Sequence, residues 1–204
     1  MTKIPRLAIL ISAAGTSRRM GSPKQLLKWG NSTLLGHTIE TAINVGLESV
    51  VVVLGSDFEK ISQQITNLDC TILNHMNWGN GLGSSISFGI KYLQQHSANL
   101  DGVLVMLADQ PLIDVTYLKA MISHFEVNKE QIIATDYSKQ KMGVPVLFDK
   151  FYLAELSELK DDQGAKQILN QYADKVFLVT SEGKTADIDT SEDYEKLYKA
   201  NHQL

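Results

Sequence analysis

The sequence predicts an α/β fold of three layers, a mostly parallel sheet between helices. Apolar runs such as Ser49–Leu54 (SVVVVL) and Gly102–Leu107 (GVLVML) have the length of strands buried on both faces. Amphipathic stretches of helical period alternate with them, as in strands joined by crossover helices. The chain has 204 residues, 44% hydrophobic and 21% charged, which suits one domain over 1–204 with its own core and no need of a staple.

The elements follow in order. Leu7–Ile11 reads as the first strand, and the loop Ala13–Lys24 follows it. Leu34–Val45 places Leu35, Ile39, Ala42 and Ile43 on one helical face. After Ser49–Leu54, Asp57 is expected to cap a helix carrying Phe58, Ile61 and Ile65. Cys70–Leu73 is a short strand, and a glycine-rich turn over 79–83 leads into a helix with Ile86, Ile90 and Leu93. Gly102–Leu107 ends at Ala108-Asp109-Gln110-Pro111. Asp114 caps a helix with Leu118, Met121, Ile122 and Phe125. Ile132–Thr135 and Val144–Phe148 are strands, Lys150–Leu159 and Gly164–Tyr172 are helical, and Lys175–Val179 is a strand. Ile188 lies in a short extended segment, and Thr190 with Asp193 forms a capping box for the last helix.

The composition narrows the function. A net charge of -4 and a pI near 5.7 argue against a nucleic-acid partner. The apolar run Leu7–Ile11 is too short for a membrane span and lacks a signal-peptide cleavage pattern. Cys70 is the sole cysteine, so no internal disulfide forms; it reads as a buried core thiol, and a cytoplasmic location is expected. The five histidines show no zinc spacing.

The loop after the first strand carries the strongest chemical signal. Small residues Ala13, Ala14 and Gly15 let the backbone approach a ligand, and successive N–H groups in such a turn make an anion nest. Arg18, Arg19 and Lys24 add cations to a chain that is acidic overall. Together they describe a triphosphate cradle, although neither G-x-x-x-x-G-K-[ST] nor G-x-G-x-x-G is present. Asp109 follows a buried strand, where a carboxylate has no hydrophobic reason to stand; Mg²⁺ is typically held by one or two carboxylates plus phosphates. Asp187 and Asp189 flank Ile188, and one of them could be the second metal ligand. Finally, Gly81 and Gly83 with Ser84 and Ser85 form a loop and helix start whose backbone can read a base edge.

These motifs resemble the molybdenum cofactor cytidylyltransferase family, the MocA-like branch of the MobA-type NTP transferases. Its L-A-A-G-x-S-x-R-M-G-x-x-K-x-L-L is matched by SAAGTSRRMGSPKQLL, and its N-x-x-W-x-x-G-x-x-S-S segment by NHMNWGNGLGSSI. L-A-D-Q-P is intact at Leu107–Pro111; GVPVLF, DDQGAK and DIDTSEDY match three further segments. The resemblance implies a nucleotide-diphospho-sugar-transferase (Rossmann-like) sheet, Mg²⁺, a nucleoside triphosphate and a molybdopterin-type acceptor, with a molybdenum hydroxylase as a possible downstream partner. It implies that Ala13–Gly15, Arg18 and Lys24 hold the triphosphate and that Asp109 with Asp187 or Asp189 holds the metal. It also places Gly81–Ser85 near the base. The Ser84-Ser85 pair favours CTP within this resemblance. Val144 stands for the family's histidine, Asp161 for a glycine and Lys166 for an arginine, all in segments tied to the acceptor. A guanylyltransferase, a cytidylyltransferase for another phosphate and a non-catalytic cofactor carrier are the alternatives.

Overall fold

The structure is a computed structural model that describes residues 4–16, 20–137, 141–160 and 164–202. Its strands are β1 (Leu7–Ala13), β2 (Lys28–Trp29), β3 (Ser32–Thr33), β4 (Ser49–Leu54), β5 (Thr71–Asn74), β6 (Gly102–Leu107), β7 (Ile132–Asp136), β8 (Met142–Asp149) and β9 (Val176–Thr180). Its helices are α1 (Leu34–Val45), α2 (Phe58–Ser62), α3 (Leu82–His96), α4 (Val115–Ser123), α5 (Leu153–Leu156), α6 (Lys166–Gln171) and α7 (Ser191–His202).

Seven strands form the central sheet in the order β5-β4-β1-β6-β8-β7-β9. β1 runs parallel to β4 and β6, β5 parallel to β4, and β9 parallel to β7. Only β8 is reversed, against β6 and β7. The result is a mostly parallel sheet with helices packed on both faces.

Side chains alternate across a strand, so one central strand feeds two cores. Leu7, Ile9 and Ile11 of β1 pack with α1, α2 and α4 on one face. Ala8 and Leu10 pack with α3, α5 and α6 on the other. The helices start and stop where local chemistry dictates. Thr33 accepts from Gly36 N at 3.0 Å to cap α1, and Gly46 ends it in the left-handed region at φ 81°. Asp114 caps α4 by accepting from Tyr117 N at 2.8 Å. The Thr190–Asp193 box opens α7, with Thr190 N bonding Asp193 at 2.9 Å and Asp193 N bonding Thr190 at 3.2 Å.

Four expectations need correction. Asp57 makes no side-chain cap bond; it sits at φ 55° in the tight turn after β4, a conformation Asp tolerates, and α2 ends at Ser62. Lys150–Leu159 divides into a 3-10 turn over Lys150–Tyr152 and the single-turn α5. Gly164 takes φ 53°, outside the helical region, so α6 begins only at Lys166. Cys70 is half-buried against the core rather than enclosed, and burial pushes its thiol up, with Asp69 adding to the effect.

The hairpin β2–β3 has no counterpart in the sequence reading. Its two-residue turn uses Gly30 at φ 59°, and its Trp29 is 3% exposed beneath Tyr198 and His202 of α7. Among the described residues no helix is long and apolar enough to cross a membrane.

Candidate functional site

From β1 the chain moves to β4 and β5 on one side, then returns to β6 on the other. The carboxyl ends of β1 and β6 therefore flank a topological switch point, where loops diverge and leave a crevice. The crevice is lined by Ala13, Ala14, Gly15, Lys24, Gln25 and Asp109. It continues past Thr16 and Leu82 to Trp78, Gly79, Gly81 and Ser85.

The carbonyls of Ala13, Ala14 and Gly15 are bound within the protein. Gln25, 3% exposed, donates from Nε2 to Ala13 O at 2.9 Å and to Gly15 O at 3.1 Å. Ser56 donates from its backbone N–H to Ala14 O and from its hydroxyl to Gly15 O, each at 3.3 Å. Engaging these oxygens keeps their partial negative charge from an anion. A Cβ built on Gly15 meets nothing within 4 Å, so the space over the loop is open.

Lys24 and Asp109 meet across the crevice. The Lys24 ammonium donates to Asp109 Oδ2 at 2.7 Å, to Ile188 O at 3.0 Å and to Asp189 Oδ1 at 3.3 Å. Ile188, fully buried against Trp29 and Leu34, anchors this segment by donating its N–H to Asp109 O at 2.9 Å. Asp187 keeps an exposed edge, but its carboxyl is turned onto Gln110, whose Nε2 donates to it at 2.8 Å. Loss of water pushes the Asp187 carboxyl up; the Gln110 bond and Lys24 oppose this, while the charges of Asp109 and Asp189 add to it. A carboxyl raised in part by neighbouring carboxylates marks a site short of positive charge.

The same Gln110 Nε2 donates to the Tyr137 hydroxyl, which donates to Val144 O on β8. Tyr137 is pushed up to about 12, first by burial and further by Asp187 and Asp109. The amide thus connects the Asp187 carboxyl, through Tyr137, to β8 at Val144.

Among the described residues no three ligand-type side chains converge as a metal cage. Mg²⁺ needs none, because substrate phosphates and water complete its shell. Asp109 Oδ1 is buried with no hydrogen-bond partner among the described residues, an acceptor that a cation would satisfy. The residues present therefore fit a divalent ion.

Of the residues singled out from sequence, Ala13, Ala14, Gly15, Lys24, Asp109, Gly81 and Ser85 line the crevice. Asp187 and Asp189 stand at its edge through Gln110 and Lys24. Gly83 is buried in the first turn of α3, and Ser84 turns away to pair with His75 at 3.1 Å. Arg18, Arg19 and Asp161 lie outside the described residues. Lys166 is exposed at the start of α6. Sequence reasoning missed Gln25, Gln110 and Tyr137 as parts of the site. Gln25 and Gln110 follow Lys24 and Asp109 directly, so an amide beside each charged residue was the available signal.

Comparisons with known proteins identify the family. The family model of the MobA-like NTP transferase domain matches residues 9–176. The purine catabolism protein PucB of Bacillus subtilis (strain 168) is 26% identical over 210 residues, covering 96% of this chain and 98% of that protein. The crystal structure of a Mycobacterium tuberculosis Rv0371c homolog from Mycobacterium sp. strain JC1 superposes with a TM-score of 0.79 at 27% identity, over 96% of both chains. Rv0371c from M. tuberculosis H37Rv in complex with manganese gives a TM-score of 0.79 at 23% identity, over 96% of this chain and 99% of that one, a likeness of fold. With that match spanning both sides of the crevice, the chain belongs to the MobA-like NTP transferase family and is a nucleotidyltransferase-type protein.

Proposed function

We propose that residues 1–204 act as one NTP-transferase domain that moves CMP from CTP to the terminal phosphate of a molybdopterin-type cofactor and releases pyrophosphate. The observation that carries this reading is the meeting of Lys24, Asp109 and Asp189 beside the small residues Ala13–Gly15, whose carbonyls are engaged within the protein. Such a site suits a polyanion and its counter-ion.

In this reading an acceptor phosphate oxygen attacks the α-phosphorus in line. A new P–O bond forms, the bond to the bridging oxygen breaks, and its electron pair leaves with pyrophosphate. The acceptor is already an anion, so no strong general base is needed. The barrier is charge repulsion, which positioning and neutralisation lower. Lys24, with Arg18 and Arg19, takes up charge on the leaving pyrophosphate. Ala13–Gly15 bring the backbone against the phosphates, while Gly81 and Ser85 face the base. Asp109, with Asp187 or Asp189, would hold Mg²⁺, which supplies Lewis-acid polarisation of the phosphate oxygens.

The choice of CTP rests on the Ser84-Ser85 resemblance. A molybdenum hydroxylase that uses the product is part of the same proposal; the relative PucB is named a purine catabolism protein. The manganese complex of a protein of the same fold supports a divalent ion. The lone Cys70 thiol suits a reducing cytoplasm.

A cofactor carrier without catalysis is the second reading, favoured by Val144, Asp161 and Lys166 on the acceptor side. Pyrophosphate release separates the two, measured with Mg²⁺, molybdopterin-type cofactor and CTP, GTP, ATP or UTP in turn. Release with CTP alone is expected. Release with GTP alone moves the chain to guanylyl transfer. No release from a folded sample with any nucleotide leaves the carrier or another acceptor.

A further inference from the structure

His75 directly follows β5, and its N–H donates to Leu54 O at 2.8 Å, which fixes its backbone at the carboxyl edge of the sheet. Its side chain is 7% exposed and stacks on Phe88 of α3, with ring centroids 4.7 Å apart and planes 24° apart. Nε2 lies 3.1 Å from Ser84 Oγ, and Ser84 Oγ donates to Gly81 O at 2.9 Å. A hydroxyl has a single hydrogen. With that hydrogen on Gly81 O, Ser84 can only accept from His75, so the imidazole carries its proton on Nε2.

Two backbone bonds complete a ring. Trp78 N donates to His75 O, and Gly81 N donates to Trp78 O, each at 3.2 Å. Gly81 adopts φ 93°, where a side chain would be strained, and is held at its N–H by Trp78 and at its carbonyl by Ser84. Trp78, Gly81 and Ser85 face the crevice, whereas His75 stands behind them.

We infer that His75 is a positioning residue for nucleotide selection: through Ser84 it fixes the Gly81 backbone, and with it the Trp78–Ser85 segment that borders the base. This rests on the proposed nucleotide reading. The imidazole suits the task because its direction is clamped by Phe88 on its face and by the backbone at its base. Burial also pushes its pKa down, so it works as a neutral donor at neutral pH. Lys24 and Asp109 belong to other loops, so displacing Gly81 weakens base recognition without disabling phosphoryl chemistry.

The test compares wild type, His75→Ala and His75→Gln. CTP and GTP binding with Mg²⁺ is measured by calorimetry, alongside KM, kcat and Tm. His75→Ala is expected to weaken CTP binding and raise KM about tenfold, the scale of one hydrogen bond, with kcat within about twofold. It should also narrow the preference for CTP over GTP. His75→Gln, whose amide N–H reaches the position of Nε2, should restore most of the affinity. Unchanged binding and preference in His75→Ala overturn the inference. So does a joint fall of kcat and Tm that Gln fails to rescue, since that marks a purely structural histidine. Wild type that binds CTP but releases no pyrophosphate defeats the proposed reaction and leaves the His75 comparison in force. Wild type that binds no nucleotide defeats both.

Discussion

The Lys24 ammonium sits 2.7 Å from Asp109 Oδ2 and 3.3 Å from Asp189 Oδ1, bridging two carboxylates that the proposed function gives to a metal. Like-charged cations cannot share that position, so Lys24 and a bare divalent ion compete for it. Lys24→Met keeps the apolar stem and removes the charge. It is expected to bind Mn²⁺ without nucleotide roughly tenfold more tightly, about 1.4 kcal/mol, because the competing cation is gone. Turnover should fall at least about a hundredfold, the scale of removing one charge-stabilising donor. Calorimetry or Mn²⁺ paramagnetic resonance reads the first effect. Unchanged or weaker metal binding would mean that Lys24 does not occupy the ion's place.

Asp109→Asn preserves shape and removes charge. Asp109 Oδ2 is one side of the Lys24 ion pair, and Oδ1 is buried without a partner among the described residues. An amide would leave the fold in place but give a cation nothing to neutralise. Turnover is expected to drop by about two to three orders of magnitude while the circular dichroism spectrum stays that of wild type. Wild-type turnover would remove Asp109 from the reaction.

The layers and most elements were legible because Val51–Leu54 and Val103–Met106 are buried on both faces, and only strands at the centre of a helix-covered sheet read that way. The reversed direction of β8 was not, since pairing direction leaves no trace in a short apolar run. The first loop and Asp109 could be read as chemistry because charge and small residues stood where packing had no use for them. Gln25 and Gln110 escaped because a buried amide looks like any polar loop residue until its partners are known. Ser84 was read as facing the base; its turn toward His75 depends on the stacking of His75 and Phe88, whose approach from β5 and α3 is tertiary.

Asp114 offers a test through pH. Burial works to raise its carboxyl, but the Lys184 ammonium and the N–H groups of Tyr117 and Thr116 outweigh it and hold it below the usual range. A carboxyl with a lower pKa in the folded state adds stability that is fully present above the unfolded value, about 3.9, and is lost as pH falls through the folded value. Asp114→Ala is therefore expected to cost about 1 kcal/mol at pH 7, as for a lost N-cap. Thermal unfolding should show the gap to wild type narrowing as the pH falls below the unfolded value and through the lower folded one. A gap of constant size would assign the stabilisation to packing rather than to charge.

Gly55 stands behind two parts of the crevice, Ala14 and Trp78, in close contact with both. A Cβ there would lie 2.4 Å from Trp78 Cβ and 2.7 Å from Ala14 O, closer than packed atoms approach. The end of β4 can therefore pass between Ala14 and Trp78 only without a side chain. Gly55→Ala must move the Trp78 loop, the Ala14 carbonyl or both. Ala14 O also accepts from Ser56 N at 3.3 Å, so shifting it strains the loop that carries Gly15. The substitution is expected to cost about 1–3 kcal/mol in denaturant unfolding, as for overpacking. Nucleotide affinity should fall more than stability alone requires, visible as weakened CTP binding at a temperature where the variant is fully folded. A variant that unfolds earlier yet binds CTP as wild type does would show that Trp78 yields outward, away from the nucleotide, and that the base does not rest on its position.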